Sequence, residues 1–201
     1  MSKDAKKKII HDALILTAFT LVLGFLLGAV HEITKERIEA AELAAEQAAY
    51  LAVFHDATEF AEAELTAEEL DQFLAEAGYK DTVKSVKIAK DASGNVLGYV
   101  VNVTAGDGSQ GLITFSVGIS KDRTVNGYSI TDIAETPGLG SKAAEEDFYS
   151  QFENKAVDFF EVVKQTSAAD NQIEAITGAT ITSRARANGV NAALAIFDEY
   201  L

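Results

Sequence analysis

One uninterrupted apolar stretch near the N-terminus constrains this chain more than any other feature. The stretch "ALILTAFTLVLGFLLGAV", residues 13–30, holds 18 uncharged residues. Extended back to Ile9, it is long enough to cross a bilayer core of about 30 Å. A cleaved signal peptide is the alternative, but its apolar core would span only ~7–15 residues, and no clear Ala-x-Ala site follows. We therefore predict a retained transmembrane helix over residues 9–30.

Positive charge ahead of this helix predicts its orientation. Four lysines precede the apolar stretch: Lys3, Lys6, Lys7 and Lys8. By the positive-inside rule, residues 1–8 lie in the cytoplasm and the rest of the chain lies on the periplasmic or extracellular side of the cell (inner) membrane. Within the helix, Gly24 and Gly28 have the spacing that lets a second helix approach closely, although this spacing also arises by chance in apolar segments.

Composition excludes several classes of function. The chain has no cysteine, which rules out disulfides, thiolate metal sites and thiol nucleophiles. Its three histidines, His11, His31 and His55, are not at ligand spacing, so we expect no metal site. Residues 31–201 carry 13 Lys and Arg against 29 Asp and Glu, a net charge of −16. Such a surface repels phosphate backbones and argues against nucleic-acid binding.

The segment after the membrane helix changes from helical to extended patterns. Residues 31–79 are rich in Ala, Glu and Leu and predict a helical stalk and helices, with a capping box at Thr66 and Glu69. Four β-branched and aromatic runs follow, separated by short turns: "VKSVKIAKD", "NVLGYVVNVTA", "GLITFSVGIS" and "TVNGYSITDIA". Short connections favour an antiparallel meander over parallel crossovers.

The remaining chain predicts more helices, which makes the fold class α+β: an antiparallel sheet with packed helices, preceded by one transmembrane helix. The stretch "KAAEEDFYSQF" looks helical, "AVDFFEVV" extended and "KQTSAADNQ" loop-like. From Ser183 onward the apolar residues fall on one helical stripe: Val190, Ala193, Leu194, Phe197 and Leu201. We assign residues 80–201 to one domain.

A cluster of hydroxyl side chains stands at the start of that last helix. The segment "EAITGATITSR", residues 174–184, offers three candidate N-caps, Thr180, Thr182 and Ser183, where one is enough. Arg184 and Arg186 follow in the first turn, where the helix dipole disfavours cations. A bound anion such as phosphate would account for both features, but the arginines could equally pair with Glu174 or water.

A second unusual segment is "ETPGLG", residues 135–140, which contains the only proline of the chain. Pro137 stiffens the turn, while Gly138 and Gly140 remove side chains from the path of an approaching group. A rigid loop with few side chains suits a flat ring, although a simple strand-to-helix connector would also have this composition.

Taken together, "ETPGLG" and "TGATITS" on a short chain with one N-terminal membrane helix resemble the G subunit of the Rnf electron-transport complex. The sequence is also similar to the C subunit of the sodium-translocating NADH:quinone reductase, which shares the FMN-binding domain. The resemblance covers essentially the whole chain. It implies covalent FMN, joined to Thr180 through a phosphoester bond by a separate flavin transferase that uses FAD.

The resemblance also implies the other residues of the cofactor site and the role of the chain. We expect the following residues to surround the flavin: Thr177, Gly178, Ala179, Thr182, Ser183, Glu135, Thr136, Pro137, Gly138, Leu139 and Gly140. The expected function is electron relay in an ion-translocating ferredoxin:NAD oxidoreductase, alongside the other membrane subunits of the complex and without a catalytic site of its own.

Two alternatives and one departure accompany this expectation. The chain could be the C subunit of the quinone reductase, or a membrane-tethered scaffold without a cofactor. The family motif usually has Asp where this sequence has Glu174, so recognition by the transferase could be altered. The sequence does not specify the ion that is transported, the flavin potential, or the direct electron donor and acceptor.

Overall fold

The computed structural model describes residues 3–166 and 168–201, with side chains from Lys7 onward. Met1 and Ser2 of the predicted cytoplasmic segment, and Ser167 of the predicted loop, lie outside the described residues. The chain divides into two compact units, Met1–Ala44 and Ala45–Leu201. Residues 45–79, which the sequence suggested were stalk and helices, thus belong to the same unit as the sheet.

The first helix, α1, spans Lys3–Val53. Its Lys7–Val53 part is long and apolar enough to cross a membrane, with a mean hydropathy of 2.5 in its most apolar window and no burial of that window inside the protein. A helix of this kind needs a non-aqueous environment for its apolar side chains. The helix predicted over residues 9–30 is therefore confirmed as an element and as a candidate membrane span.

Five strands form an antiparallel meander in the order β1-β2-β3-β4-β5. Their bounds are Glu59–Glu62, Thr82–Lys90, Val96–Ala105, Ile113–Ser120 and Val125–Ile133. Strands β2 to β5 are the four predicted runs, and the α+β fold class is confirmed. Strand β1 was not predicted; it pairs with β2 inside the stretch that looked helical.

Helices α2 and α4 cover one face of the sheet. Helix α2, Ala67–Glu76, begins at the predicted capping box, in which the Thr66 side chain accepts from the Glu69 N–H and the Glu69 side chain accepts from the Thr66 N–H. Helix α4, Thr180–Tyr200, packs on β3 and β4. Its predicted stripe is buried or half-buried in the main core, which also contains Val101 and Val103 of β3.

The last turns of α1 cover the opposite face of the sheet. Tyr50, Val53 and Phe54 form a second apolar cluster with Val100 of β3. A buried amide anchors this cluster, because Asn102 Nδ2 donates to Tyr50 Oη at 2.8 Å. Burial raises the pKa of Tyr50 to about 12, so its hydroxyl stays protonated and available as a partner. The sheet is thus sandwiched between helices on both faces.

The chain between β5 and α4 is made of short elements. A 3₁₀ turn over Gly140–Ala144 leads into helix α3, Glu146–Tyr149, and a second 3₁₀ turn over Ser150–Phe152. Strands β6, Glu161–Val163, and β7, Gln172–Glu174, then form a parallel pair. These short elements carry the chain from the meander back to the start of α4, next to the loop that follows β5.

Candidate functional site

Helix α4 begins without a capping side chain. Its N-cap residue is Ala179, and within the described part of the chain no side-chain capping hydrogen bond is made there. The expectation that Thr180, Thr182 or Ser183 caps a helix starting near Ser183 is therefore wrong, since the helix starts at Thr180. The turn before it depends on Gly178, whose φ of +83° suits glycine. The first N–H groups of α4 and the positive end of its dipole remain available to an anion.

The hydroxyls around this helix start have different environments. Ser183 is buried; its Oγ accepts from the Ile176 N–H at 3.0 Å and donates to the Ala179 carbonyl at 3.0 Å. The Thr182 hydroxyl is buried and has no hydrogen-bond partner in the described structure. Thr177 is exposed and Thr180 is half-buried. Ser183 therefore holds the turn together, while Thr180 is a partly exposed residue at the first helical position.

The loop over residues 135–140 is closed by its own hydrogen bonds. The N–H groups of Leu139 and Ser141 donate to the Thr136 carbonyl at 3.1 and 3.3 Å. The Gly138 N–H donates to Ser141 Oγ at 2.9 Å. Gly138 has φ of +74°, and a Cβ placed on it would meet no atom within 4 Å. Its tip, residues 136–139, is exposed, so the loop is a fixed turn with open space beside it.

The loop and the helix start are in contact. A Cβ on Gly140 would lie 2.6 Å from Glu135 Oε2 and 2.8 Å from Thr182 Oγ1. A Cβ on Gly178 would lie 3.2 Å from Leu139 Cδ2. The two motifs, some forty residues apart in sequence, therefore form one surface. Only glycine at position 140 allows this approach without moving Glu135 or Thr182.

A third segment joins this surface through Glu135. The Glu135 carboxylate is buried, and its Oε1 accepts from the Ser109 N–H at 2.6 Å. Ser109 lies in the connection between β3 and β4, a segment that sequence analysis did not associate with the site. No sequence signal marks Ser109, because the contact is made by its backbone.

The two arginines of α4 occupy opposite environments. Arg184 is exposed, whereas Arg186 is fully buried with its Cζ 4.0 Å from the centroid of the Phe115 ring. The Arg186 Nε, Nη1 and Nη2 atoms have no hydrogen-bond partner in the described structure. Burial lowers the pKa of Arg186 to about 10, so it stays charged at neutral pH. The expectation that both arginines lie at the helix entrance, where they could contact a bound anion or Glu174, is therefore wrong for Arg186, which is buried.

Glu174 is exposed at the end of β7, and both of its backbone hydrogen bonds are made to the Gln151 side chain. Its N–H donates to Gln151 Oε1 at 2.7 Å, and its carbonyl accepts from Gln151 Nε2 at 3.4 Å. It also lines an open groove of about 580 Å³, together with Lys142, Phe148 and Thr177. Backbone contacts fix the position of Glu174 and leave its carboxylate available to another protein.

Asp81, just before β2, is a buried acid that sequence analysis missed. It is 4% exposed, and its Oδ1 has no hydrogen-bond partner in the described structure. Burial, followed by the nearby charge of Asp107, raises the pKa of Asp81 to about 6. Asp107 lies between β3 and β4 and accepts from Asn188 Nδ2 of α4 at 2.9 Å. Polar residues thus continue beneath the surface formed by the two motifs.

We expect Asp81→Asn to stabilise the protein at pH 7 by about 1–2 kcal/mol. The folded pKa of about 6 lies above the ~3.9 of an unfolded aspartate, so the folded chain binds the extra proton. The stability contributed by Asp81 is therefore full below about pH 4 and is lost as the pH rises through about 6. Urea unfolding of the full chain in detergent from pH 4 to 8 measures the free energy of unfolding. This free energy should fall as the pH rises through about 6 in the wild type and in exposed Asp56→Asn, but not in Asp81→Asn. An unchanged slope in Asp81→Asn would contradict the assignment.

Comparison with known proteins adds two family matches. Residues 108–195 match the FMN-binding domain, and residues 1–53 match the RnfG N-terminal region. The first match contains both motifs and Ser109 in the connection between β3 and β4, and the second contains all of α1.

Curated relatives align over much of the chain. The G subunit of the Na(+)-translocating ferredoxin:NAD(+) oxidoreductase complex of Acetobacterium woodii is 34% identical over 188 residues, which is 92% of this chain and 89% of that protein. The G subunit of the proton-translocating complex of Clostridium ljungdahlii is 39% identical over 62% of this chain and 63% of its own length. Among solved structures, the C subunit of the Na(+)-translocating NADH-quinone reductase of Parabacteroides distasonis has a TM-score of 0.49 at 23% identity, over 67% of this chain and 70% of that chain.

Proposed function

The chain belongs to the G subunits of ion-translocating oxidoreductase complexes, and from this membership we propose that it relays electrons through FMN in a membrane-bound ferredoxin:NAD oxidoreductase. It is an electron-transfer subunit, and the other subunits of the complex are its partners. The related complexes are named for sodium in one relative and for protons in another, so membership does not identify the ion. The structural similarity to the C subunit of the quinone reductase has a TM-score of 0.49. It does not support the alternative that this chain is the C subunit of that reductase.

The observation that carries this proposal is the contact between the loop over residues 135–140 and the start of α4. FMN combines a phosphate with a flat ring. The uncapped start of α4 offers N–H groups and a positive dipole end to the phosphate. The open loop around Gly138 offers a fixed surface without side chains to the ring. Leu139 of the loop and Ile181 of α4 add exposed apolar side chains to these two segments. The residues present therefore fit FMN.

The finer proposal is that FMN is joined covalently to Thr180. A flavin transferase would bring FAD to the half-buried Thr180 hydroxyl. The Thr180 oxygen would form a bond to the phosphorus on the FMN side, the bond from that phosphorus to the AMP phosphate would break, and AMP and the hydroxyl proton would leave. The product is a phosphothreonine-type ester. Thr182 and Ser183 are buried and less accessible to such an enzyme.

The residues of this chain bind and orient the cofactor, and FMN itself supplies the redox chemistry. Ser183 holds the turn before α4 through Ile176 and Ala179, which fixes the position of Thr180. Glu135 fixes the loop through Ser109. A covalent bond keeps FMN from diffusing away, which is useful if the domain faces the outside of the cell.

We propose that the N-terminus is cytoplasmic and the flavin domain is periplasmic or extracellular. The lysines ahead of the apolar part of α1 support this orientation through the positive-inside rule. Apart from the adjoining turns of α1, no atom of the described residues lies within 4 Å of a Cβ placed on Gly24 or Gly28, which leaves room for a membrane helix of another subunit.

Flavin content and electron transfer test the proposed function together. The full chain should be purified with its complex from cells that contain the flavin transferase. We expect one FMN per chain in the intact mass and bleaching of its absorption when reduced ferredoxin is added. A colourless chain of unmodified mass in an active complex would instead favour the cofactor-free scaffold. FMN that is present but released by denaturation would keep the relay function and refute the covalent bond.

A further inference from the structure

Arg186 is a buried positive charge without a direct polar partner. It is fully buried, and the face of the Phe115 ring lies 4.0 Å from its Cζ. None of its three side-chain nitrogens makes a hydrogen bond in the described structure. Burying a charge is costly, and an aromatic face offsets only part of that cost. The fold must therefore stabilise this charge through groups further away.

Carboxylates from three segments lie around this part of α4. Glu135 Oε2 and Thr182 Oγ1 of α4 lie 2.6 and 2.8 Å from a Cβ placed on Gly140, and Asp107 accepts from Asn188 Nδ2 of α4 at 2.9 Å. The carboxylate charges favour the protonated guanidinium: Glu135 after β5, Asp81 before β2 and Asp107 between β3 and β4. Tyr128 of β5 also faces Arg186, at 5.9 Å from ring centroid to Cζ. Coulomb attraction in a low-dielectric interior acts without direct contact. Arg186 thus provides a buried positive charge that attracts carboxylates from three segments of the chain.

Glu135 connects this buried charge to the attachment surface. One of its carboxylate oxygens accepts from the Ser109 N–H, and the other lies against Gly140, next to the Thr182 hydroxyl. If Glu135 left this position, the loop over residues 135–140 would lose its link to Ser109 and its packing against α4.

We propose that Arg186 is a positioning residue for the cofactor site: its buried charge keeps the Glu135 carboxylate seated between Ser109 and Gly140, and so fixes the loop against the first turn of α4. Without Arg186, three buried carboxylates would face one another with no positive charge, and Glu135 would move toward water. The consequence for flavin attachment rests on the proposed function, whereas the consequence for the loop does not.

The test uses the full chain in detergent. It compares a variant that loses the Arg186 charge with one that keeps this charge and one that loses the Glu135 charge as well. Arg186→Met removes the charge at similar length, Arg186→Lys keeps it, and Arg186→Met with Glu135→Gln removes the charges from both partners. Lys121→Met, on the surface of the β4–β5 turn, is the control for loss of one positive charge. Two quantities are measured from pH 5.5 to 8: hydrogen exchange of the peptide that contains Ser109, and the rate of flavin attachment with purified transferase and FAD.

We expect Arg186→Met at pH 8 to exchange faster at Ser109 and to accept flavin about tenfold to a hundredfold more slowly, because the loop is misplaced. Both defects should shrink toward pH 5.5, because burial raises the pKa of Asp81 to about 6, so this carboxylate gains a proton there and the negative charge left without a counter-charge becomes smaller. Arg186→Lys and the double variant should recover most of the wild-type behaviour. In the double variant, the amide oxygen introduced by Glu135→Gln can still accept from the Ser109 N–H.

Several outcomes would overturn the proposal. Wild-type exchange and attachment in Arg186→Met would show that the charge positions nothing. A defect of equal size at every pH, without rescue by Arg186→Lys or by the double variant, would show that Arg186 only fills space. If Arg186→Met fails to fold, folding of the double variant supports the charge balance, and its failure to fold refutes it. If no protein, wild type included, accepts flavin, the covalent attachment fails, and the Ser109 exchange still decides the role of Arg186.

Discussion

Thr180→Ala should yield a chain that folds normally and carries no covalently bound flavin. Thr180 is the partly exposed residue at the first helical position of α4, and its replacement takes away the proposed acceptor oxygen. Because Thr180 is not the N-cap, its loss should change the free energy of unfolding by no more than about 0.5 kcal/mol. Flavin fluorescence in a denaturing gel and intact mass measure the outcome in cells that contain the transferase.

The neighbouring threonines provide matched controls for Thr180→Ala. Thr182→Val removes a buried hydroxyl that has no partner in the described structure, so it should keep covalent flavin and leave stability unchanged or slightly higher. Thr177→Val changes an exposed hydroxyl on the other side of Gly178 and should also keep it. Covalent flavin on Thr180→Ala, or a peptide map that places FMN on Thr177 or Thr182, would refute the assignment.

Gly189→Leu should destabilise the domain by about 2–3 kcal/mol, because α4 packs on the sheet at this point without a side chain. A Cβ on Gly189 would lie 2.5 Å from Phe115 Cζ and 3.2 Å from Val103 Cγ1, so a larger side chain must push the helix away. The loss should exceed the gain in helix propensity of roughly 1 kcal/mol that replacing glycine brings. Urea unfolding of the full chain in detergent measures the difference.

Glu199→Leu is the control for Gly189→Leu, since it introduces the same side chain on an exposed position of α4 and should change stability by no more than about 0.5 kcal/mol. Combining Gly189→Leu with Phe115→Leu should cost less than the two changes added together, because the shorter residue vacates the Cζ position. If the losses of unfolding free energy in the two single variants simply add in the double variant, the side chain at position 189 does not clash with Phe115.

Sequence alone predicted the elements whose signals are local. Strands β2 to β5 alternate and end at Gly- and Asp-containing turns, and the stripe from Val190 to Leu201 has the helical period. Strand β1 was missed because its four residues, "EFAE", are too short and polar to stand out from the helical composition around them. Its pairing is made by β2, more than twenty residues later in the chain.

The candidate site was predicted as two motifs, but their contact was not. The closeness of Gly140 to Thr182 depends on the return of the chain through β6 and β7, which no motif encodes. The start of α4 was placed near Ser183, with Thr180, Thr182 or Ser183 as its cap. In the structure the Ser183 hydroxyl bonds to the preceding turn, and a backbone turn at Gly178 begins the helix earlier.

The burial of Arg186 was missed although the sequence held a signal for it. Arg186 lies four residues before Val190, so the apolar stripe of α4, continued backwards, passes through it. A charged residue in a first turn suggests a solvent-facing position, since burial of a charge requires compensation. That compensation comes from Asp81, Asp107 and Glu135, which lie 51 to 105 residues away in sequence and cannot be paired with Arg186 from its spacing.

The short strand β1 has a consequence for how this subunit avoids faulty association. Strand β2 is nine residues long, and its outer edge is covered by the four residues of β1, with flanking bonds from Thr58 N–H to the Lys90 carbonyl and from Ala63 N–H to the Val86 carbonyl. Without β1, this edge would be a template for strand addition by another chain. A truncated domain that begins at residue 80 would lack β1 and would expose the unpaired edge of β2. It would also lack Tyr50 and Phe54 and would expose the apolar face of the sheet that they cover. In this protein, protection against aggregation is therefore encoded in the segment that leads out of the membrane helix, well outside the matched FMN-binding region.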